Sequence, residues 1–233
     1  MLCAIREGAS KDSQNNCGQT ALHAAVSKGS LEMVQLLVEQ GVDKDLENSG
    51  GFTGLWIASD QGNLDVAQYL VQAGADVNKS SSNGQTPLYA AAYKGREEVV
   101  LYLAEEGADT NTPAHGSFFA LYNAASQGEL GIVRYLVAHG ADMEATIIGG
   151  FTPLNIAALK GRKEVVKYLV EQGAEKDKMM VQLRCMLLLL GVAWKWSSIC
   201  WSRGRTEIFR IRGAIHLSTM LSSGDISTWQ KIS

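Results

Sequence analysis

The chain is 233 residues long, 46% hydrophobic and 19% charged, with a formal net charge of −3. That charge is divided unevenly: residues 1–178 carry −8 and residues 179–233 carry +5. An acidic majority argues against direct binding to the nucleic-acid backbone, which takes a basic stripe to displace counterions.

Cys3, Cys17, Cys185 and Cys200 form no C-x-x-C pair and stand beside no histidine cluster, so neither a zinc site nor a disulfide framework is expected. His115, His139 and His216 fall in no ligand spacing. The N-terminus shows no charged leader followed by a long apolar core, so no signal peptide is read. The longest apolar run, Cys185 to Trp194, is about half of the roughly 20 residues that a membrane-spanning helix needs. These features predict an intracellular, cytoplasmic protein.

In chain order, residues 1–12 come first. Ile5 to Asp12 aligns with Val170 to Asp177, so this stretch reads as the remnant of a truncated unit whose first helix is missing. From residue 13 a signature returns every 33 residues: Thr20-Ala21-Leu22-His23, Thr53-Gly54-Leu55-Trp56, Thr86-Pro87-Leu88-Tyr89, Phe119-Ala120-Leu121-Tyr122 and Thr152-Pro153-Leu154-Asn155. The same step links Ala25, Ala58, Ala91, Ala124 and Ala157, and also Gly29, Gly62, Gly95, Gly128 and Gly161. A second glycine series runs through Gly41, Gly74, Gly107, Gly140 and Gly173. A period of this size marks an array of stacked units, and residues 13–178 hold five of them.

Each unit predicts two helices, near 20–28 and 31–39 in the first copy and at +33 thereafter. Threonine suits the N-cap, proline the first helical position, and glycine a left-handed end. The second helix carries apolar residues on two sides, as in Val99, Val100, Leu101 and Leu103, so it packs between neighbouring units. The fourth copy has Phe118-Phe119-Ala120 where a hydroxyl cap belongs, a loss worth about 1 kcal/mol that makes it the expected soft point. Gly95 ends a helix, whereas Gly51 lies in a connecting finger with more freedom. Gly95→Val is therefore expected to be more damaging than Gly51→Ala.

The units resemble the ankyrin repeat, whose signature is T-P-L-H-x-A-A, followed by a glycine, a second helix and G-A-D. The resemblance covers roughly residues 8–178. It implies an all-α solenoid of stacked helix-turn-helix units joined by hairpin-like fingers. Its expected function is that of a non-catalytic protein–protein interaction module: a monomer that binds other proteins through a concave surface, with no catalytic residues, no cofactor and no metal. The histidine of the signature is expected to bond nearby backbone and tie adjacent repeats together. Partner contacts are expected on finger tips and on the outward positions of each first helix. On that basis the candidate contact residues are Trp56, Ile57, Asp60, Tyr93, Asn123, Ile156 and Leu159. Trp56 is the candidate exposed anchor, and Ile57, Tyr93, Ile156 and Leu159 are apolar where water would favour polar side chains.

After Lys178 the period stops, and four of the five tryptophans appear. Reading the codons one base earlier explains more of this tail than a new domain does. Met and Trp have single codons, so Met179-Met180 forces an Asp, Met180-Val181 a Gly, and Trp194-Lys195 a Glu. Gln182 to Leu189 then permits A-T-P-L-Y-A-A-A, and Gly191 to Thr206 permits G-R-L-E-V-V-K-Y-L-L-E-Q-G-A-D. Residues 179–233 are thus read as frame-shifted repeat. Two alternatives stand beside the binding-module reading. One is a targeting or regulatory fragment of a larger enzyme or channel, and the other an array with an interfacial membrane-binding tail rich in Trp and Arg.

Overall fold

The computed structural model describes residues 10–114, 119–147 and 150–175, all within one compact unit. The readings made for residues 1–9, for Phe118 and for the tail after residue 175 lie outside the described residues. Among the described residues there are ten α-helices in five pairs. They are α1 (Ala21–Ser27) and α2 (Leu31–Glu39), α3 (Gly54–Gln61) and α4 (Leu64–Gln72), and α5 (Pro87–Tyr93) and α6 (Glu97–Glu105). The last pairs are α7 (Ala120–Gln127) with α8 (Leu130–Ala138), and α9 (Pro153–Leu159) with α10 (Lys163–Glu171). None of these helices is long and apolar enough to cross a membrane.

The starts of the odd helices follow from the signature threonines. Thr20, Thr53, Thr86 and Thr152 keep extended backbone, and each hydroxyl accepts the amide three residues on, at His23, Trp56, Tyr89 and Asn155. Phe119 stands in the same place before α7 with no side-chain bond, as its chemistry requires. The even helices have no side-chain cap. Their entry is held instead by a tight turn, in which the carbonyls of Ala25, Ala58, Ala91, Ala124 and Ala157 accept the amides of Ser30, Asn63, Arg96, Glu129 and Arg162. That turn bends through a left-handed residue, which is why glycine recurs there, as at Gly62 (φ +83°).

The odd helices pack side by side in one row and the even helices in a second, each also touching its own pair partner. Signature leucines Leu22, Leu55, Leu88, Leu121 and Leu154 fill the odd row, and Leu37, Leu70, Leu103, Leu136 and Leu169 fill the even one, all at most 2% exposed. Burying one such leucine is worth about 1.5–3 kcal/mol. A lone helix pair would leave much of that surface wet, so stability resides in the contacts between repeats.

The fingers add a relay of hydrogen bonds that runs the length of the stack. Side-chain oxygens of Asp12, Asp45, Asn78, Asn111 and Glu144 accept the amides of Asp43, Asp76, Asp109, Asp142 and Glu175, each 31 residues ahead. Within each finger, Asp43, Asp76, Asp109 and Asp142 in turn accept the amides of Asp45, Asn78, Asn111 and Glu144. Near the finger tips Asn15, Asn48 and Ser81 each accept two further backbone amides. Ala114 and Ile147 occupy the same step of the repeat and offer no side-chain acceptor.

The freedom expected of Gly51 is absent. It is buried with φ +76°, and a methyl there would lie 2.3 Å from both the amide nitrogen and the hydroxyl oxygen of Ser82 in the next finger. Gly95, also left-handed at φ +67°, would place its methyl no closer than 3.3 Å, against the flexible end of Glu129. For an added methyl, Gly51 is therefore the tighter of the two positions, because its finger stacks closely on the next finger.

Candidate functional site

In the first and third repeats the fourth signature position bonds to the repeat that follows. His23, 1% exposed, takes the Thr20 amide on Nδ1 at 3.1 Å and gives Nε2–H to the Phe52 carbonyl at 3.0 Å. A carbonyl can only accept, so the hydrogen sits on Nε2 and the ring is neutral. Burial holds its pKa below the ordinary value of 6.5, against the opposing pull of the backbone carbonyl of Phe52. The tie between repeats that the resemblance implied is present.

Trp56 does not stand out as an open anchor. Its ring packs on Phe52 with centroids 4.0 Å apart at 31°, and its indole nitrogen is buried without a hydrogen-bond partner. Tyr89 and Tyr122 are each only 8% exposed. The Tyr89 phenol has its pKa raised by burial, an effect opposed by a hydrogen bond with Asn123 of the following repeat.

Two members of the candidate set are corrected by their burial. Asn123 and Ile156 were expected to face solvent, yet they are 7% and 6% exposed. Asn123 follows Tyr89 by one repeat and one residue and bonds its phenol across the repeat boundary, and Ile156 stands at the same spacing after Tyr122. Ala90, one such step after Trp56, is buried as well. Ile57, which follows the inward-turned His23, stays half-buried. Asn123 Nδ2 also donates to the Phe119 carbonyl at 3.2 Å.

The last outward position of each odd helix remains accessible. Asp60 and Leu159 are half-buried, and Tyr93 is 51% exposed, one of two large apolar side chains in the open among the described residues. Its ring lies parallel to Tyr89 at 6.2 Å, which holds it in place. Lys94 Nζ sits 5.8 Å from the Tyr93 ring and 3.7 Å from Asp60 Oδ1, so an aromatic plate, a cation and an anion share one surface. The Gln127 side chain donates to the Tyr93 carbonyl. Lys94 was absent from the sequence-derived set. The signal for it was the adjoining column Lys28, Gln61, Lys94, Gln127 and Lys160, polar in every copy.

Asp60, Tyr93 and Lys94 therefore form one patch at the ends of the odd helices of the second and third repeats, with Ile57 three residues before Asp60 on α3, while Leu159 lies two repeats away on α9. Among the described residues no three His, Cys, Asp or Glu side chains gather where a metal ion could be held.

A family model described as ankyrin repeats (3 copies) matches residues 1–81 and 115–180, and one described as ankyrin repeat matches residues 83–114. No curated protein matches the chain. The 33-residue period, the threonine caps, the two rows of helices and these matches together establish that the chain belongs to the ankyrin repeat family, whose arrays are generally protein–protein interaction modules.

Proposed function

We propose that the array binds another protein on the concave face made by its odd helices, centred on Tyr93. The observation that carries this is the exposure of the Tyr93 ring, held rigid over Tyr89 and bordered by Lys94 and Asp60. A fixed aromatic with a charge of each sign beside it loses little entropy on binding and can discriminate between partners. Ile57, half-buried on α3 three residues before Asp60, would extend the apolar part, and Leu159 would make a separate outlying contact. The module acts as a cytoplasmic monomer and performs no catalysis of its own. Its acidic balance over residues 1–178 favours protein over nucleic acid as the ligand.

The test is site-specific photo-crosslinking in cells from position 93, with position 98 on the even row as control. Adducts from position 93 that vanish in an Ile57→Asp background, with the melting temperature preserved, support the face. Adducts formed equally from position 98 overturn it.

We further infer that residues 179–233 are a displaced-frame translation of repeat sequence, on the strength of the single-codon Met and Trp positions. The bases after codon 178 decide this directly. A nucleotide sequence that cannot encode the T-P-L signature one base earlier rules it out.

A further inference from the structure

The Lys94 side chain is 43% exposed, and its ammonium lies 5.8 Å from the centre of the Tyr93 ring and 3.7 Å from Asp60 Oδ1. One cation therefore touches an aromatic ring and a carboxylate from two successive repeats. Both distances stand near the outer limit of their kind. A close charge-assisted hydrogen bond is about 2.7–2.9 Å long, and a ring attracts a cation out to about 6 Å. An exposed pair at such a separation is weak and exchanges readily.

The two groups around that ammonium are fixed where the lysine is not. The Asp60 carbonyl accepts Arg96 Nε at 3.2 Å, and the Tyr93 carbonyl accepts the Gln127 side chain. Each residue is thus pinned by the repeat that follows it, and the Tyr93 ring also lies parallel to Tyr89. The pairing occurs once in the array. Along the 33-residue column Ser27, Asp60, Tyr93, Ser126 and Leu159, only Asp60 is acidic and only Tyr93 aromatic, and the two are consecutive. The charge of −8 over residues 1–178 draws cations rather than anions toward them.

We infer that Tyr93 and Asp60 form a recognition site for an arginine side chain of the partner protein, and that Lys94 occupies it until the partner arrives. This rests on the Tyr93 docking face proposed above and names the chemistry that face selects. Arginine suits the site better than lysine does. Its planar guanidinium stacks on an aromatic ring while its N–H fork pairs with a carboxylate, and it is less strongly hydrated than an ammonium. Lys94 then turns into solvent, so the chain's own lysine competes with the partner and lowers its affinity.

The test is an NMR titration of the full chain, labelled at tyrosine, with acetyl-Gly-Arg-Gly-amide as the probe and acetyl-Gly-Glu-Gly-amide as its opposite. The arginine probe should shift the Tyr93 ring signals saturably, and the glutamate probe should not. Lys94→Met should tighten the arginine probe about two- to fivefold, the share that an exposed ion pair holds back. Lys160→Met, an equal charge change two repeats away, should leave it unchanged. Asp60→Asn and Tyr93→Leu should each weaken it. No saturable arginine shift, or a Lys94→Met effect that weakens binding or is matched by Lys160→Met, would overturn the site. A glutamate probe that shifts Tyr93 in place of arginine also overturns it, yet leaves the docking face, which crosslinking from position 93 tests on its own.

Discussion

The side-chain oxygen of Asn78 lies 2.8 Å from the amide nitrogen of Asp109, in the finger one repeat ahead. It is the middle of five such links, and because Asp76 also accepts the Asn78 amide, each finger is tied to the one before and the one after.

Cutting that link should weaken the stack at its centre. Asn78→Ala is expected to cost about 0.5–1.5 kcal/mol, the net worth of one hydrogen bond. Asn78→Asp, which keeps the acceptor oxygen, should cost much less. Urea unfolding of the two variants checks this, and equal midpoints would show that the relay adds nothing to stability.

Gly51→Ala should lower the urea midpoint more than Gly95→Ala. Both positions are left-handed, so both substitutions carry a backbone cost of roughly 1–2 kcal/mol. Only at Gly51 does the new methyl also meet backbone, 2.3 Å from the Ser82 nitrogen, where no side chain can swing aside.

Phe119→Thr should stabilise the fourth repeat by about 1 kcal/mol, because it restores the hydroxyl that the other four odd helices use. The finger acceptors missing at Ala114 and Ile147 flank the same repeat, so its amides should exchange fastest among the five before the change and slow after it. Fastest exchange in another repeat would remove this weak point.

Stability should fall in mild acid through His23. Its folded-state pKa lies below 6.5, so its neutral form contributes fully above that value. The contribution is lost as pH falls through the lower, folded-state value, where the ring must take a proton on the nitrogen that accepts from Thr20. His23→Gln should show a smaller drop in melting temperature than the parent between neutral and mildly acidic pH. Parallel curves for the two proteins would exclude His23 as the titrating group.

What the sequence by itself determined was everything that repeats locally. Threonine caps, helix-ending glycines and the leucine columns act over three or four residues or recur every 33, so both helices of each pair were legible without coordinates. The same held for the missing cap at Phe119, whereas the role of His23 came only from the resemblance to the family. The finger relay was half legible: the Asp and Asn column was there to be seen, but its partners lie 31 residues ahead and meet only once the repeats stack. Exposure was decided by the tertiary structure alone. Asn123 and Ile156 hold the same place in the signature as Ile57, yet both are buried while Ile57 is half-buried, and Asn123 bonds Tyr89 of the preceding repeat. Tyr93 stays open with Lys94 and Asp60 around it. Whether a position on one repeat meets water depends on what its neighbour packs against it, and that relation exists only across the packed interface.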